Sequence, residues 1–121
     1  MSQTVLIVDD EDAIRTVLGH IFRRAGFTVL EAGSGPEALQ IVRQQNIDLI
    51  TMDLAMAQMD GVDTLSVILS ETSAATIVIS AHISPDLQKE LENLGVKHCL
   101  SKPFAVDEVL ATATAALHRS V

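Results

Sequence analysis

Asp48-Leu49-Ile50-Thr51-Met52-Asp53 is the stretch on which the fold turns. Leu49, Ile50 and Met52 form an apolar run short enough for a buried strand, and the run stops at a carboxylate. Small and polar residues follow, through Leu54-Ala55-Met56-Ala57-Gln58-Met59 to the turn signal Asp60-Gly61. Ligands of open α/β sheets bind beyond the carboxyl ends of the strands, which would give Asp53 a place to react. A plainer reading keeps Asp53 as a strand terminator or helix cap, a common use of Asp.

The rest of the chain repeats this plan. Thr4-Val5-Leu6-Ile7-Val8 is a continuous apolar and β-branched run, as expected of a strand covered on both faces. It runs into four acids, Asp9-Asp10-Glu11-Asp12. Ile14, Val17, Leu18, Ile21, Phe22 and Ala25 then recur at helical spacing, with Asp12 at the start, Arg23-Arg24 at the end and Gly26 as the stop. Phe27-Thr28-Val29-Leu30 reads as a second strand, and Ser34 with Glu37 as a capping box ahead of a helix that buries Ala38, Ile41 and Val42. Ile47 to Met52 is the third strand, and Gly61 opens a helix with Leu65, Ile68 and Leu69 inward. Ala75-Thr76-Ile77-Val78-Ile79 is the fourth strand, leaving Ser80 at its end. Ser84-Pro85-Asp86 starts a helix carrying Leu87, Leu91 and Leu94 that Gly95 ends. Lys97 to Leu100 is a fifth strand; after Lys102-Pro103, Val106, Val109, Leu110, Ala113 and Leu117 mark a last helix. Strand and helix alternate throughout, which calls for a doubly wound α/β fold: a parallel sheet with helices on both faces. No repeat or linker interrupts it, and a single domain over residues 1–121 is expected.

Composition narrows the function. The 121 residues are 48% apolar, enough for a real core, and their net charge of −8 argues against nucleic-acid or anionic-membrane binding. With no Trp, no Tyr and three Phe, stacking on bases is effectively excluded. No apolar run approaches the ~20 residues of a membrane span, and the one cysteine, Cys99, suits a cytoplasmic location.

In a parallel sheet all strand ends of one polarity lie on one side. Asp9 and Asp10, Asp53, Ser80 and Lys102 can therefore converge. Close carboxylates repel one another unless a cation neutralises them, and an oxygen-only donor set points to Mg²⁺ rather than zinc. An ammonium and a hydroxyl beside them complete a receptor for a phosphoryl group, and a carboxylate can itself be the nucleophile.

On these residues the chain resembles the receiver domain of two-component response regulators over its whole length. The pieces are Val8-Asp9-Asp10-Glu11, Asp53 with Met56, Met59-Asp60-Gly61, Ile79-Ser80-Ala81 and Lys102-Pro103-Phe104. Each piece alone is common; five in this order are highly specific. The resemblance implies a flavodoxin-like (βα)5 fold with sheet order 2-1-3-4-5. It implies that Asp53 is the phosphoacceptor for a histidine kinase or histidine phosphotransfer protein. Asp10, Asp53 and the Ala55 carbonyl would hold Mg²⁺, with Mn²⁺ able to substitute, and Asp9 would act largely through water. Lys102 would pair with one phosphoryl oxygen and Ser80 would move to another, with Lys102-Pro103 as a cis peptide. The domain would catalyse its own phosphorylation and dephosphorylation without being a conventional enzyme. Output would pass to a partner protein through the face of the fourth helix, fifth strand and fifth helix.

Two positions depart from the family. Met56-Ala57 stands where a Met-Pro pair is usual, which loosens the loop by roughly a kcal/mol at most. Cys99 stands where an aromatic residue or His usually rotates inward, so either His98 or Phe104 substitutes or the output face works differently. Cys99 itself reads as a small unreactive strand residue rather than a redox sensor. His82, two past Ser80, borders the expected phosphoryl site; it either tunes acyl-phosphate hydrolysis or is a solvated loop histidine. His20 and His118 are expected on helix surfaces, and Glu11 and Asp12 at the helix start. A haloacid-dehalogenase-like phosphohydrolase is disfavoured because Asp53-Leu54-Ala55 lacks a second acid. A phosphorylation-independent pseudo-receiver is disfavoured by the intact Asp10, Asp53, Ser80 and Lys102.

Overall fold

Five strands with parallel registers form one sheet in the order β2-β1-β3-β4-β5. In this computed structural model, which describes residues 2–55 and 61–118, the strands are β1 (Thr4–Val8), β2 (Thr28–Ala32), β3 (Leu49–Met52), β4 (Ala75–Ser80) and β5 (His98–Ser101). The helices between and after them are α1 (Asp12–Arg24), α2 (Gly35–Gln44), α3 (Gly61–Ser70), α4 (Pro85–Asn93) and α5 (Val106–Leu117). This is the doubly wound, flavodoxin-like order expected. The readings at Met56, Ala57, Met59 and Asp60 lie outside the described residues.

Side chains alternate between the faces of a strand, and that alternation divides the core in two. Leu6, Val8, Ile50, Met52 and Val78 pack with Ala38, Val42, Leu65, Ile68 and Leu91, so α2, α3 and α4 cover one face. Val5, Ile7, Leu49, Ile77 and Ile79 pack with Leu18, Ile21, Phe22, Val109, Ala113 and Ala116, so α1 and α5 cover the other. Burying each large aliphatic side chain contributes roughly 1.5–3 kcal/mol. On α4 only Leu91 is fully buried, which leaves that helix anchored on a narrow footing.

Two helices end as their glycines predict. Gly26 has φ 94°, and Phe27 N–H donates to the Phe22 carbonyl at 2.9 Å. The Phe22 and Phe27 rings meet edge-on at 5.2 Å, the apolar contact that accompanies this type of stop. Gly95 has φ 91°, Val96 N–H donates to the Leu91 carbonyl at 2.9 Å, and the Leu91 and Val96 side chains are buried in the same core. Phe27 therefore closes α1, and β2 begins one residue later than its apolar pattern suggests and runs on to Ala32. Half of the capping box forms at α2: Ser34 Oγ accepts from Glu37 N–H, but the Glu37 carboxylate takes the N–H of Gly33 instead of Ser34. Val17 and Val106, placed inward by helical spacing, are 48% and 52% exposed. They flank the line along which α1 and α5 approach each other rather than the sheet.

Gly61 has no room for a side chain. A Cβ there would stand 2.6 Å from the Leu54 Cα and 2.7 Å from its carbonyl carbon, with the Leu54 oxygen closer still. Backbone atoms cannot rotate out of the way. Gly61→Ala is expected to destabilise the fold by roughly 1–3 kcal/mol, as overpacking does, seen as a lower urea midpoint at unchanged slope. An unaltered midpoint would contradict the contact.

Candidate functional site

Three residues at the carboxyl edge of the sheet remain hydrogen-bonded into its ladder. Asp9 N–H donates to the Ala32 carbonyl at 3.1 Å, Asp53 N–H to Val8 at 3.0 Å, and Lys102 N–H to Ser80 at 2.9 Å. Each backbone is thus fixed by the neighbouring strand just where its own strand ends. The residues also share a phase. Asp9 continues Val5 and Ile7, Asp53 continues Leu49 and Thr51, and Lys102 continues His98 and Leu100, all on the alternation that faces α1 and α5.

Their side chains meet. Lys102 Nζ lies 2.9 Å from Asp9 Oδ2, 3.1 Å from Asp53 Oδ2 and 3.1 Å from Glu11 Oε1. The side chains of Asp9 and Asp53 are 3% and 4% exposed, and that of Lys102 is 12% exposed. Asp9 Oδ1 accepts from Glu11 N–H at 2.9 Å, and Asp53 Oδ1 from Ala55 N–H at 2.9 Å. Burial pushes the Asp9 carboxyl above its ordinary range, against the Lys102 and Glu11 hydrogen bonds that favour its charged form; nearby Asp53 adds to the rise. Burial works the other way on Lys102, but the hydrogen bonds to Asp9, Glu11 and Asp53 outweigh it and hold the ammonium firmly protonated.

Asp9, Asp10, Glu11 and Asp53 each offer a carboxylate oxygen, and the four oxygens lie within 4.8 Å of one another. Asp9 and Asp53 are buried, whereas Asp10 and Glu11 are exposed. A hard, all-oxygen donor set of this charge could coordinate a divalent cation of the magnesium or calcium kind. Ser80 is buried at the end of β4, where its carbonyl holds Lys102. Ala55 is exposed beside Asp53, and His82 is exposed two residues past Ser80.

Cys99 is half-buried in β5 against the core that α4 covers. Burial raises its thiol pKa, and Glu92 raises it further, which suits an unreactive residue. His98 and Phe104, the suggested substitutes for an aromatic here, belong to the other face: His98 pairs with Ile77, and Phe104 packs on the core beneath α1 and α5. Strand alternation sets His98 apart from Cys99, and Phe104 lies past the end of β5 on the opposite core. The Lys102–Pro103 peptide is cis, as expected. His20 and His118 are exposed.

The sequence reading assigned Glu11 to the start of α1, and its backbone does occupy the N-cap position. Its side chain makes no cap hydrogen bond and turns to Lys102 instead. The available signal was chemical: Glu is not among the residues that cap well, unlike Ser, Thr, Asp or Asn. Arg15 was also missed. Its guanidinium donates to the Asp9 carbonyl at 2.6 Å and pairs with Asp12 and Glu31, tying α1 and β2 to the loop after β1.

A family model for the response regulator receiver domain matches residues 5–114, and the chain belongs to that family. Sporulation initiation phosphotransferase F of Bacillus subtilis is 32% identical over 110 residues, covering 90% of this chain and 89% of that protein. Transcriptional regulatory protein PdtaR of Mycobacterium tuberculosis is 34% identical over 116 residues, 95% of this chain but 57% of the relative. Among solved structures, chemotaxis protein CheY4 of Vibrio cholerae superposes with a TM-score of 0.90 at 28% identity, covering 97% of this chain and all of that one. The chain spans little more than half of PdtaR and 50% of PhoP, the alkaline phosphatase synthesis regulator of B. subtilis. A receiver domain is a signal-transduction phosphoprotein module rather than a conventional enzyme, and the acidic pocket is consistent with a phosphoacceptor site. No helix among the described residues is long and apolar enough to cross a membrane.

A cation that binds the folded chain at this cluster stabilises it by mass action, by about 2.7 kcal/mol at one hundred times its Kd. Differential scanning calorimetry should show Tm rising with added divalent cation and falling back with chelator. Asp10→Asn should flatten that dependence; a full response in the variant would remove Asp10 from the site.

Proposed function

We propose that this chain works as one receiver domain over residues 1–121, in which Asp53 accepts a phosphoryl group from a phosphohistidine and thereby changes which partner protein is bound. The observation that carries this reading is the Lys102 ammonium, held between buried Asp9 and Asp53 with the Ser80 strand end alongside. Asp53 is the nucleophile: one carboxylate oxygen attacks phosphorus, the phosphorus–nitrogen bond breaks, and the imidazole leaves with a proton from solvent. Lys102 pairs with one oxygen of the transferred group, and the Ser80 hydroxyl donates to another. Asp10, Asp53 and the Ala55 carbonyl would hold magnesium, or manganese in its place, and the ion would neutralise phosphoryl charge. Asp9 is already engaged by Lys102 and by Glu11 N–H, which supports its acting there through water. Attack by water on phosphorus later breaks the acyl phosphate, returning the Asp53 carboxylate and inorganic phosphate.

The donor is a histidine kinase or a histidine phosphotransfer protein, and the product is read through the surface of α4, β5 and α5. Support for a relay comes from the relative named as a phosphotransferase. The narrow anchoring of α4 on Leu91 suits a surface that responds to events at the sheet edge. With Cys99 small, that response does not need an aromatic rotation. On this reading the domain works in the cytoplasm with its kinase, without direct contact to nucleic acid or membrane.

Incubation with Mg²⁺ and acetyl phosphate should add one phosphoryl mass, and Asp53→Asn should abolish it. A modified variant, or an unmodified wild type, would sink the assignment. On this reading His82, exposed two residues past Ser80, governs the approach of water to phosphorus. His82→Ala should change the half-life of the phosphorylated form by severalfold, roughly the effect of one polar contact; an unchanged decay would leave it a solvated loop residue.

A further inference from the structure

An ammonium has three N–H donors, and in Lys102 each meets a carboxylate: Asp9, Asp53 and Glu11. A phosphoryl group formed on Asp53 neutralises that carboxylate and brings its own oxygens to the lysine, where they compete with the two carboxylates that remain, Asp9 and Glu11. The three are not equally held. Asp9 is buried, with its second oxygen fixed by Glu11 N–H. Asp53 is buried, with its second oxygen fixed by Ala55 N–H. The Glu11 side chain is 60% exposed, and its backbone rather than its carboxylate serves α1. Water readily replaces Lys102 as its partner, and its rotamers are restrained only while it stays paired.

We propose that Glu11 is a positioning residue whose carboxylate occupies the third donor of Lys102 in the unphosphorylated domain and is displaced from it by the phosphoryl group on Asp53. This rests on the reading of Asp53 as phosphoacceptor. Glu11 then has two effects. It keeps the ammonium fully paired and aimed across Asp53 while no phosphoryl group is present. It also sets a negative charge where an anionic donor must arrive, so that part of the barrier to phosphorylation is the exchange of one anion for another on Lys102.

The distinguishing experiment compares wild type with Glu11→Gln in two measurements. The first is the rate of phosphorylation by acetyl phosphate with Mg²⁺, read by intact mass. Removing a competing, largely exposed ion pair should raise it by roughly two- to fivefold. The second is the ¹³Cε and ¹⁵Nζ resonances of Lys102, recorded first without metal and then with Mg²⁺ and beryllofluoride. The variant should shift the lysine signals in the metal-free protein, and the two proteins should coincide once the adduct has formed, because Glu11 has then left the lysine in both. Equal rates, unshifted metal-free signals, or a difference that persists in the adduct would overturn the proposal. A slower variant with a raised Mg²⁺ requirement would overturn it too, making Glu11 a cation ligand. If wild type forms no adduct at all, the phosphoacceptor reading fails as well; if wild type reacts and the variant matches it, only the role of Glu11 fails.

Discussion

The site rests on a constraint of the backbone: a parallel ladder continues for one hydrogen bond past the strands that carry the acids. Asp9, Asp53 and Lys102 are each gripped through their own N–H by the strand beside them. A charged side chain at a strand end would ordinarily turn to water. Here the ladder and the shared two-residue phase set three of them side by side, and the burial that follows is imposed by the sheet. Functional groups on rigid elements are held more closely than groups on loops.

That burial has an electrostatic cost, and its two halves answer pH differently. A carboxyl raised by burial, like Asp9, favours the folded chain most below its ordinary pKa of 3.8 and loses that contribution as pH climbs through the folded value. Lys102, also raised, keeps its stabilising contribution up to its ordinary 10.5 and loses it only above. Burial therefore puts the ionised form of Asp9 at a disadvantage, beside a lysine that its carboxylate partners keep charged. An arrangement that spends stability in this way is common where a ligand or reaction supplies the missing charge.

The fold was legible because its signals are local and redundant. Buried strands announce themselves as β-branched runs, and Gly26 and Gly95 stop α1 and α4 with the φ that only glycine takes easily. That Asp9, Asp53 and Lys102 can meet was legible because a parallel sheet gathers its ends on one side whatever the details. What failed needed tertiary information. Val17 and Val106 fit a helical face yet lie beside the α1–α5 seam. Phe27 looked like a strand residue because an apolar pattern does not distinguish pairing in a sheet from closing a helix. Glu11 was read as part of a helix start because nothing local reveals that Lys102, ninety-one positions away, lies within reach of its carboxylate. His98 is set apart from Cys99 by the strand's alternation alone, whereas Phe104 lies past the end of β5 and only the fold shows which core it joins.

The contact between Gly61 and the Leu54 backbone has a mechanical meaning apart from its cost. A hydrogen bond or ion pair resists separation; packed backbone resists only approach. Leu54 therefore cannot press toward the first turn of α3 without pushing the helix. Such a stop works as a buffer: it hands a push from the strand end straight on to α3 instead of absorbing it.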